Sequence, residues 1–443
     1  MLTWVEDGSI PALPIYHEYL RAGGSLTRFN QAVLLNVPST VNHAQVQSAL
    51  QALVSPHAAL RLRCEGAGPE TRFIVEPAHS TPAPTLPVVT ILSKHEADAK
   101  QEIQQSLANL SDKLNINESG GMLAAQWIEQ SNGSCLLALV IHHFAIDGVS
   151  WRILIEDLGL LTQSKQETSS HSLPAKTMSL KAWGELLAAQ GKTGARRHEE
   201  SLWSEQLAQL VALPQDQQIK ASDNTLGTGV QHTGHLDVAL TERLMRAPAV
   251  YHGGINDVLL AAMGIALSNW SKTQYGYDLG DPVVMIEGHG REMDADLSRT
   301  VGWFTSAFPL RLDVSHAAEH DAAYPGMVIR RIKERLKALP DKGLGYGVLK
   351  YLDQGSTIAH LDLPTPQIVF NYLGRFEFSA DQPDHWSMAE NGLTAAKDHP
   401  DRPRLQLIDF NAMIDSKGEL LYGITYCPLA HHSGSIAALS EQF

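Results

Sequence analysis

Residues 141–151 read IHHFAIDGVSW: an apolar strand runs into two histidines, His142 and His143, and a short turn closed by Asp147 and Gly148. A histidine at a strand end naturally opens onto a cleft, and imidazole, with an ordinary pKa of ~6.5, takes and returns protons near neutral pH. Side chains alternate along a strand, so the pair points to opposite faces. One is then the reactive group and its neighbour packs inward. Asp147 in such a turn holds the loop through an ionic or backbone hydrogen bond. On spacing alone, a histidine pair is as readily a satisfied core residue or a metal ligand.

Working outward, residues 135–141 and 73–75 read as strands, and 46–53 and 95–110 as helices. A polar segment, 162–177, marks a crossing between two lobes. Beyond it come helices at 180–190 and 197–210, a strand at 234–238, and an apolar helix at 257–270 with Asn256 as its N-cap. Short apolar runs at 283–286, 367–372 and 420–426 predict further strands, and the polar stretch 379–404 an exposed spacer loop. Residues 433–443 read as a helix with no capping glycine behind it, as expected of a segment excised from a longer chain. No fixed short repeat occurs, which leaves two mixed α/β lobes.

The 443 residues exceed the roughly 250 to 300 at which one core usually stops growing, in keeping with two lobes. With 44% hydrophobic and 19% charged residues, the composition is that of an ordinary globular protein. A formal net charge of -14 and no basic run disfavour nucleic acid or an anionic membrane as partner. Arg196, Arg197 and His198 form one basic cluster, read as a solvated helix face. Cys64, Cys135 and Cys427 are odd in number and widely spaced, so neither a disulfide framework nor a zinc site is expected, and a reducing cytoplasm suits them. No apolar run is long enough for a signal segment or a membrane span. No nucleotide-binding glycine loop or nucleophile elbow is present.

The second signal is EGHGRE at 287–292, directly after the 283–286 strand. A glutamate at a strand end, followed by Gly288 and Gly290, sits in a tight turn open to a cleft. Burial there raises its pKa and Arg291 lowers it. The alternative is a Glu–Arg pair that merely holds the turn.

The complete 141–151 string resembles the HHxxxDG motif of the condensation-domain superfamily, which includes condensation, cyclization and epimerization domains and relatives of chloramphenicol acetyltransferase. EGHGRE is similar to the segment by which epimerization domains differ from condensation domains. VSWRIL (149–154), TVGWFTSAFPLRL (300–312), GLGYGVLKYL (343–352) and FNYLGRF (370–376) resemble further strings of epimerization domains, in order and spacing, across residues 30–426. One departure is LPIYHEYL (13–20), where such domains carry PIQxWF.

The resemblance implies an epimerization domain of a nonribosomal peptide synthetase, inverting the α-carbon of an aminoacyl or peptidyl thioester by proton removal and return. It implies two chloramphenicol-acetyltransferase-like lobes, residues 1–175 and 176–443, in a V-shaped pseudodimer with a central channel. His143 and Glu287 become the acid/base groups, with His142, Asp147, Gly148, Trp151, Arg291, Asn371 and Tyr372 supporting the site. No cofactor or metal belongs to the domain, because the substrate arrives on the 4'-phosphopantetheine arm of a peptidyl carrier domain directly upstream. A condensation domain follows downstream, and the excised domain is a cytoplasmic monomer. Peptide-bond formation, with His143 activating an amine, is the alternative reading, and a carrier-docking scaffold without chemistry a more distant one.

Overall fold

A computed structural model describes residues 6–93, 95–163, 173–175, 177–314, 323–361, 365–375, 385–394, 398–415 and 417–443. Much of the expected crossing at 162–177 lies outside them, as do residues 376–384. The chain forms two compact units, each built from three segments: Met1–Ala189, Met293–Thr305 and Phe378–Arg402 in the first, Gln190–Glu292, Ser306–Glu377 and Pro403–Phe443 in the second. The division expected at 175/176 cuts the chain once, whereas these units exchange it five times.

Strands are numbered in chain order. The first unit carries a five-stranded sheet in the order β12-β2-β7-β6-β5, comprising β12 (Ser387–Thr394), β2 (Asn30–Asn36), β7 (Cys135–His142), β6 (Leu123–Glu129) and β5 (Val88–Thr90). Neighbours are antiparallel except β5 and β6. The near-continuous apolar run of β7 suits its central place, covered on both faces. Leu136, Ala138 and Val140 pack on Leu107 and Leu110 of helix Glu96–Ser111, while Leu137, Leu139 and Ile141 are buried on the other face. A small second sheet joins β1 (Gly8–Ile10), β4 (Arg72–Val75) and β3 (Leu62–Glu65).

The second unit is built on a six-stranded sheet in the order β10-β9-β11-β13-β14-β8. Its strands are β8 (Val230–Leu236), β9 (Val283–Gly288), β10 (Ser306–Arg311), β11 (Ile368–Arg375), β13 (Ile408–Ile414) and β14 (Leu420–Tyr426). β13 alternates cleanly, with Ile408, Phe410, Ala412 and Ile414 in the core and Asp409 and Asn411 on the opposite face. Helices Ile255–Tyr275, Tyr324–Ala338 and Ser433–Gln442 contribute Leu259, Trp270, Val328, Ile332, Ile436 and Leu439 to that core. Ile286 pairs with Phe370 and Phe370 with Phe410, so Glu287, Asn371 and Asn411 form a row on the polar face.

Four expectations need correction. The stretch 379–404 is no spacer: its described part contains β12, which pairs with β2 along the sheet edge, and Arg402 and Arg404 beyond it are buried. Its polar residues read as solvated because their partners lie far away in sequence. The strand expected at 234–238 spans Val230–Leu236 instead, since Asp237 accepts the amide of Leu240 at 2.8 Å and caps the helix Val238–Val250. The helix expected from Asn256 starts at Ile255, with the Asp257 carboxylate reaching back 2.7 Å to the amide of Gly254. Finally, the basic cluster is a solvated face only in part: Arg197 and His198 are exposed as expected, but Arg196 is buried. Arg196 binds Glu199 at 2.9 Å and Asp341 at 2.5 Å, and Arg197 grips Asp353 through two bonds of 2.8 and 2.7 Å. No single helix among the described residues is long and apolar enough to cross a membrane.

Candidate functional site

In the first unit, β7 ends at His142 and the chain turns at once into a 3₁₀ helix, His143–Ala145. The two rings are therefore separated by a change of backbone conformation as well as by strand alternation. His142 is buried, its Nε2 donating to the Leu26 carbonyl at 3.0 Å and its Nδ1 accepting the Phe144 amide at 3.2 Å. Both nitrogens are used, and burial above all pushes its pKa down to about 3. This is the inward-packed member of the pair.

His143 is only partly buried. Its ring packs against Trp303, 4.3 Å away, and Phe29, stacked at 4.9 Å. Nδ1 donates to the Ile146 carbonyl at 2.9 Å, and Nε2 lies 3.0 Å from the amide nitrogen of Gln31. Gln31 also accepts the indole N–H of Trp151 at 2.8 Å. Burial is the largest influence on His143 and takes its pKa down to about 4; Arg402 pushes the same way, against the carboxylate of Asp147. The imidazole is therefore neutral at neutral pH.

Asp147 caps helix Gly148–Thr162, accepting the Ser150 amide at 2.7 Å on one oxygen and the Phe304 amide at 3.2 Å on the other. Ser150 Oγ donates to the Gly302 carbonyl at 2.9 Å and accepts the Gly302 amide at 3.1 Å. The GWFT string is thereby strapped to the helix start, which holds Trp303 against His143. A Cβ at Gly302 would stand 2.8 Å from the Phe304 ring, so the strap requires glycine there. At Gly148, the first residue of the helix, a Cβ would meet nothing, and the structure gives no steric reason for glycine at that position.

Arg402 falls in the stretch expected to be a spacer, yet its guanidinium lies 3.8 Å over the ring of Phe29 and 4.8 Å over that of Tyr19. Its one ionic contact among the described residues is Asp398, at 3.5 Å. Gln31 also escapes a reading of the sequence. An amide near the start of an otherwise apolar strand is the only signal available for it.

In the second unit, Glu287 sits inside β9, opposite Ala307, one position deeper in the sheet than the turn expected for it. Asn371 on β11 donates from Nδ2 to Glu287 Oε2 at 2.9 Å. Burial raises the Glu287 carboxyl to about 7, and the Asp409 carboxylate adds to the rise. Asp409 is itself held by Arg404 through bonds of 3.2 and 2.8 Å, and burial raises it too. Arg291, expected to lower Glu287, is not among the causes acting on it.

Arg291 is partly buried in the following loop, its amide donating to His289 Nδ1 at 3.1 Å. Glu292 fixes that loop, bound to His289 at 2.9 Å and to Lys342 at 3.1 Å. Gly290, with φ of 64°, supplies the left-handed residue the turn requires. Tyr372 follows Asn371 and so takes the opposite face of β11, packed against the core. Of the pair implied by FNYLG, only Asn371 is brought to Glu287. Among the described residues, no cluster of three or more His, Cys, Asp or Glu is arranged to hold a metal ion.

The chain belongs to the condensation domain family, whose sequence profile matches residues 19–443. It is 34% identical over 452 residues to one subunit of the linear gramicidin synthase of Brevibacillus parabrevis, covering 99% of this chain and 6% of that protein. It is 31% identical to surfactin synthase subunit 1 of Bacillus subtilis, covering 94% of this chain and 11% of that one. The chain thus spans a small part of the curated relatives it matches. Among solved structures, the epimerization domain from the third module of tyrocidine synthetase B superposes with a TM-score of 0.86 at 27% identity, over 100% of this chain and 97% of that one. The condensation domain of the Monacolin K polyketide synthase shares the fold at 15% identity and a TM-score of 0.73, over 98% of this chain and 95% of that one. The fold is that of condensation and epimerization domains.

Proposed function

We propose that this domain epimerizes the α-carbon of an aminoacyl or peptidyl thioester carried on the phosphopantetheine arm of a peptidyl carrier domain in a nonribosomal peptide synthetase. A base takes the α-proton, the electron pair moves into the thioester carbonyl as an enolate, and a second group returns a proton to the other face. His143 and Glu287 are the two proton-transfer groups, with no metal or cofactor supplied by the domain. The observation that carries the reading is the state of Glu287. A buried carboxyl group bound to Asn371 and raised to about 7 can exchange its proton near physiological pH, which suits acid/base work on a carbon acid. Asn371 steadies that carboxyl, and the thioester carbonyl makes the α-hydrogen acidic enough to be removed by a carboxylate or imidazole. The likeness to a solved epimerization domain supports the same reading.

The test is chiral analysis of the residue released from a carrier loaded with an L-aminoacyl thioester. The wild-type domain yields a mixture of L and D, and Glu287→Gln and His143→Gln each lower the rate of equilibration by about a hundredfold or more. Undiminished D-residue formation by Glu287→Gln removes that residue from the chemistry. Because the matching family profile is that of condensation domains, a second reading is acyl transfer between two carriers. A dipeptide product from two loaded carriers, with no inversion, would establish it.

A further inference from the structure

We propose that Gln31 and Trp151 are positioning residues that place the proton of His143, fixing it as the tautomer whose lone pair is on Nε2. Every hydrogen-bond direction in the chain Trp151–Gln31–His143–Ile146 is forced by its two ends. An indole N–H only donates, so the side-chain oxygen of Gln31 faces Trp151, at 2.8 Å. The amide NH₂ of Gln31 therefore points at His143 Nε2, 3.0 Å away, and a nitrogen that receives an N–H carries no proton of its own. At the far end the Ile146 carbonyl only accepts, so the ring proton is on Nδ1, 2.9 Å from it. A second proton on Nε2 would set N–H against N–H.

The relay is braced at both ends. Gln31 belongs to β2 and pairs with Ile141, two residues before His143, while Trp151 is buried in the first turn of helix Gly148–Thr162. The charged or titratable groups around His143 are His142 on β7, Asp147 at the helix cap and Arg402, whose guanidinium covers Phe29. Trp303 and Phe29, which pack against the ring, carry no titratable group. Of these neighbours it is Gln31 that addresses Nε2 directly, by a hydrogen bond.

That the unprotonated Nε2 serves proton transfer, the Gln31 amide giving way to substrate, rests on the reading proposed above; where the proton sits does not. The test is a pH titration of the intact chain with ¹⁵N-labelled histidine rings, the His143 signals identified by their loss in His143→Gln. In the wild type Nδ1 carries the proton at neutral pH, Nε2 is bare, and the ring gains its second proton only well below the ordinary range. Gln31→Glu puts a carboxylate against Nε2 and raises the midpoint by about two units. Gln31→Met, which only removes the opposing N–H, raises it less. Trp151→Phe raises it by about one unit although Trp151 hydrogen-bonds Gln31 and not the imidazole, because the freed amide can turn its oxygen to a protonated Nε2. Should Trp151→Phe fail to fold, the two Gln31 variants decide. An unchanged midpoint and tautomer in Gln31→Glu overturns the relay. If the titrations come out as stated while His143→Gln still epimerizes, the relay stands and the assigned role of His143 falls.

Discussion

Glu287 is held in a fold that disfavours its charged form. Its ordinary pKa of 4.5 is raised to about 7, so between those values the folded chain keeps a proton that the unfolded chain releases. Stability therefore falls as pH rises through that window, and the full cost is present above pH 7. Glutamine carries no such charge. Glu287→Gln is expected to stabilise the protein by up to about 3 kcal/mol above pH 7 and by almost nothing below pH 4.5, measured by urea unfolding of both proteins across that range. A gap that stays constant with pH would show that the carboxylate is not strained. The glutamate was legible in the sequence because EGHGRE is a compact local string. What surrounds it was not: Asp409, which raises it, and Asn371, which binds it, reach it through strand register from 122 and 84 positions away. Arg402 and Gln31 escaped for the same reason, since an arginine in a polar stretch and a glutamine near the start of a strand acquire meaning only from what packs on them.

Helix Gly148–Thr162 anchors more than itself. Its cap, Asp147, satisfies two amides, one in the helix's own first turn and one 157 residues further on, in the strap that carries Trp303. Asp147→Ala leaves a helix end uncapped and the Phe304 amide without its acceptor, and should cost about 2 to 3 kcal/mol in chemical denaturation. Asp147→Asn keeps one acceptor oxygen and should lose clearly less. The strands that read correctly, β7 and β14 among them, are either continuously apolar or short apolar runs with evident boundaries. β12 was invisible: its sequence, SMAENGLT, lacks a buried-strand pattern, and what makes it a strand is the free edge of β2. Tertiary pairing overrides weak local preference at such an edge.

Across the whole molecule, the two units interleave along the chain, so neither can be cut out as one stretch. A fragment of residues 1–189 lacks both the strap bearing Trp303 and the strand that covers β2. It should show poor amide dispersion in ¹H–¹⁵N spectra and associate through the open β2 edge, while the intact chain gives a resolved spectrum. A well-dispersed monomeric fragment would contradict this account of what completes the first unit. The pairing of Ser387 with Asn36 and of Thr394 with Ala32 also sets a timetable. As the chain is translated, the sheet of β2, β7, β6 and β5, whose last strand to be made is β7, waits with the edge of β2 bare for about 245 further residues, and contacts of such long range close slowly. Nascent copies are therefore exposed to mispairing and chaperone capture in the interval after His142 and His143 have been made and before β12 has.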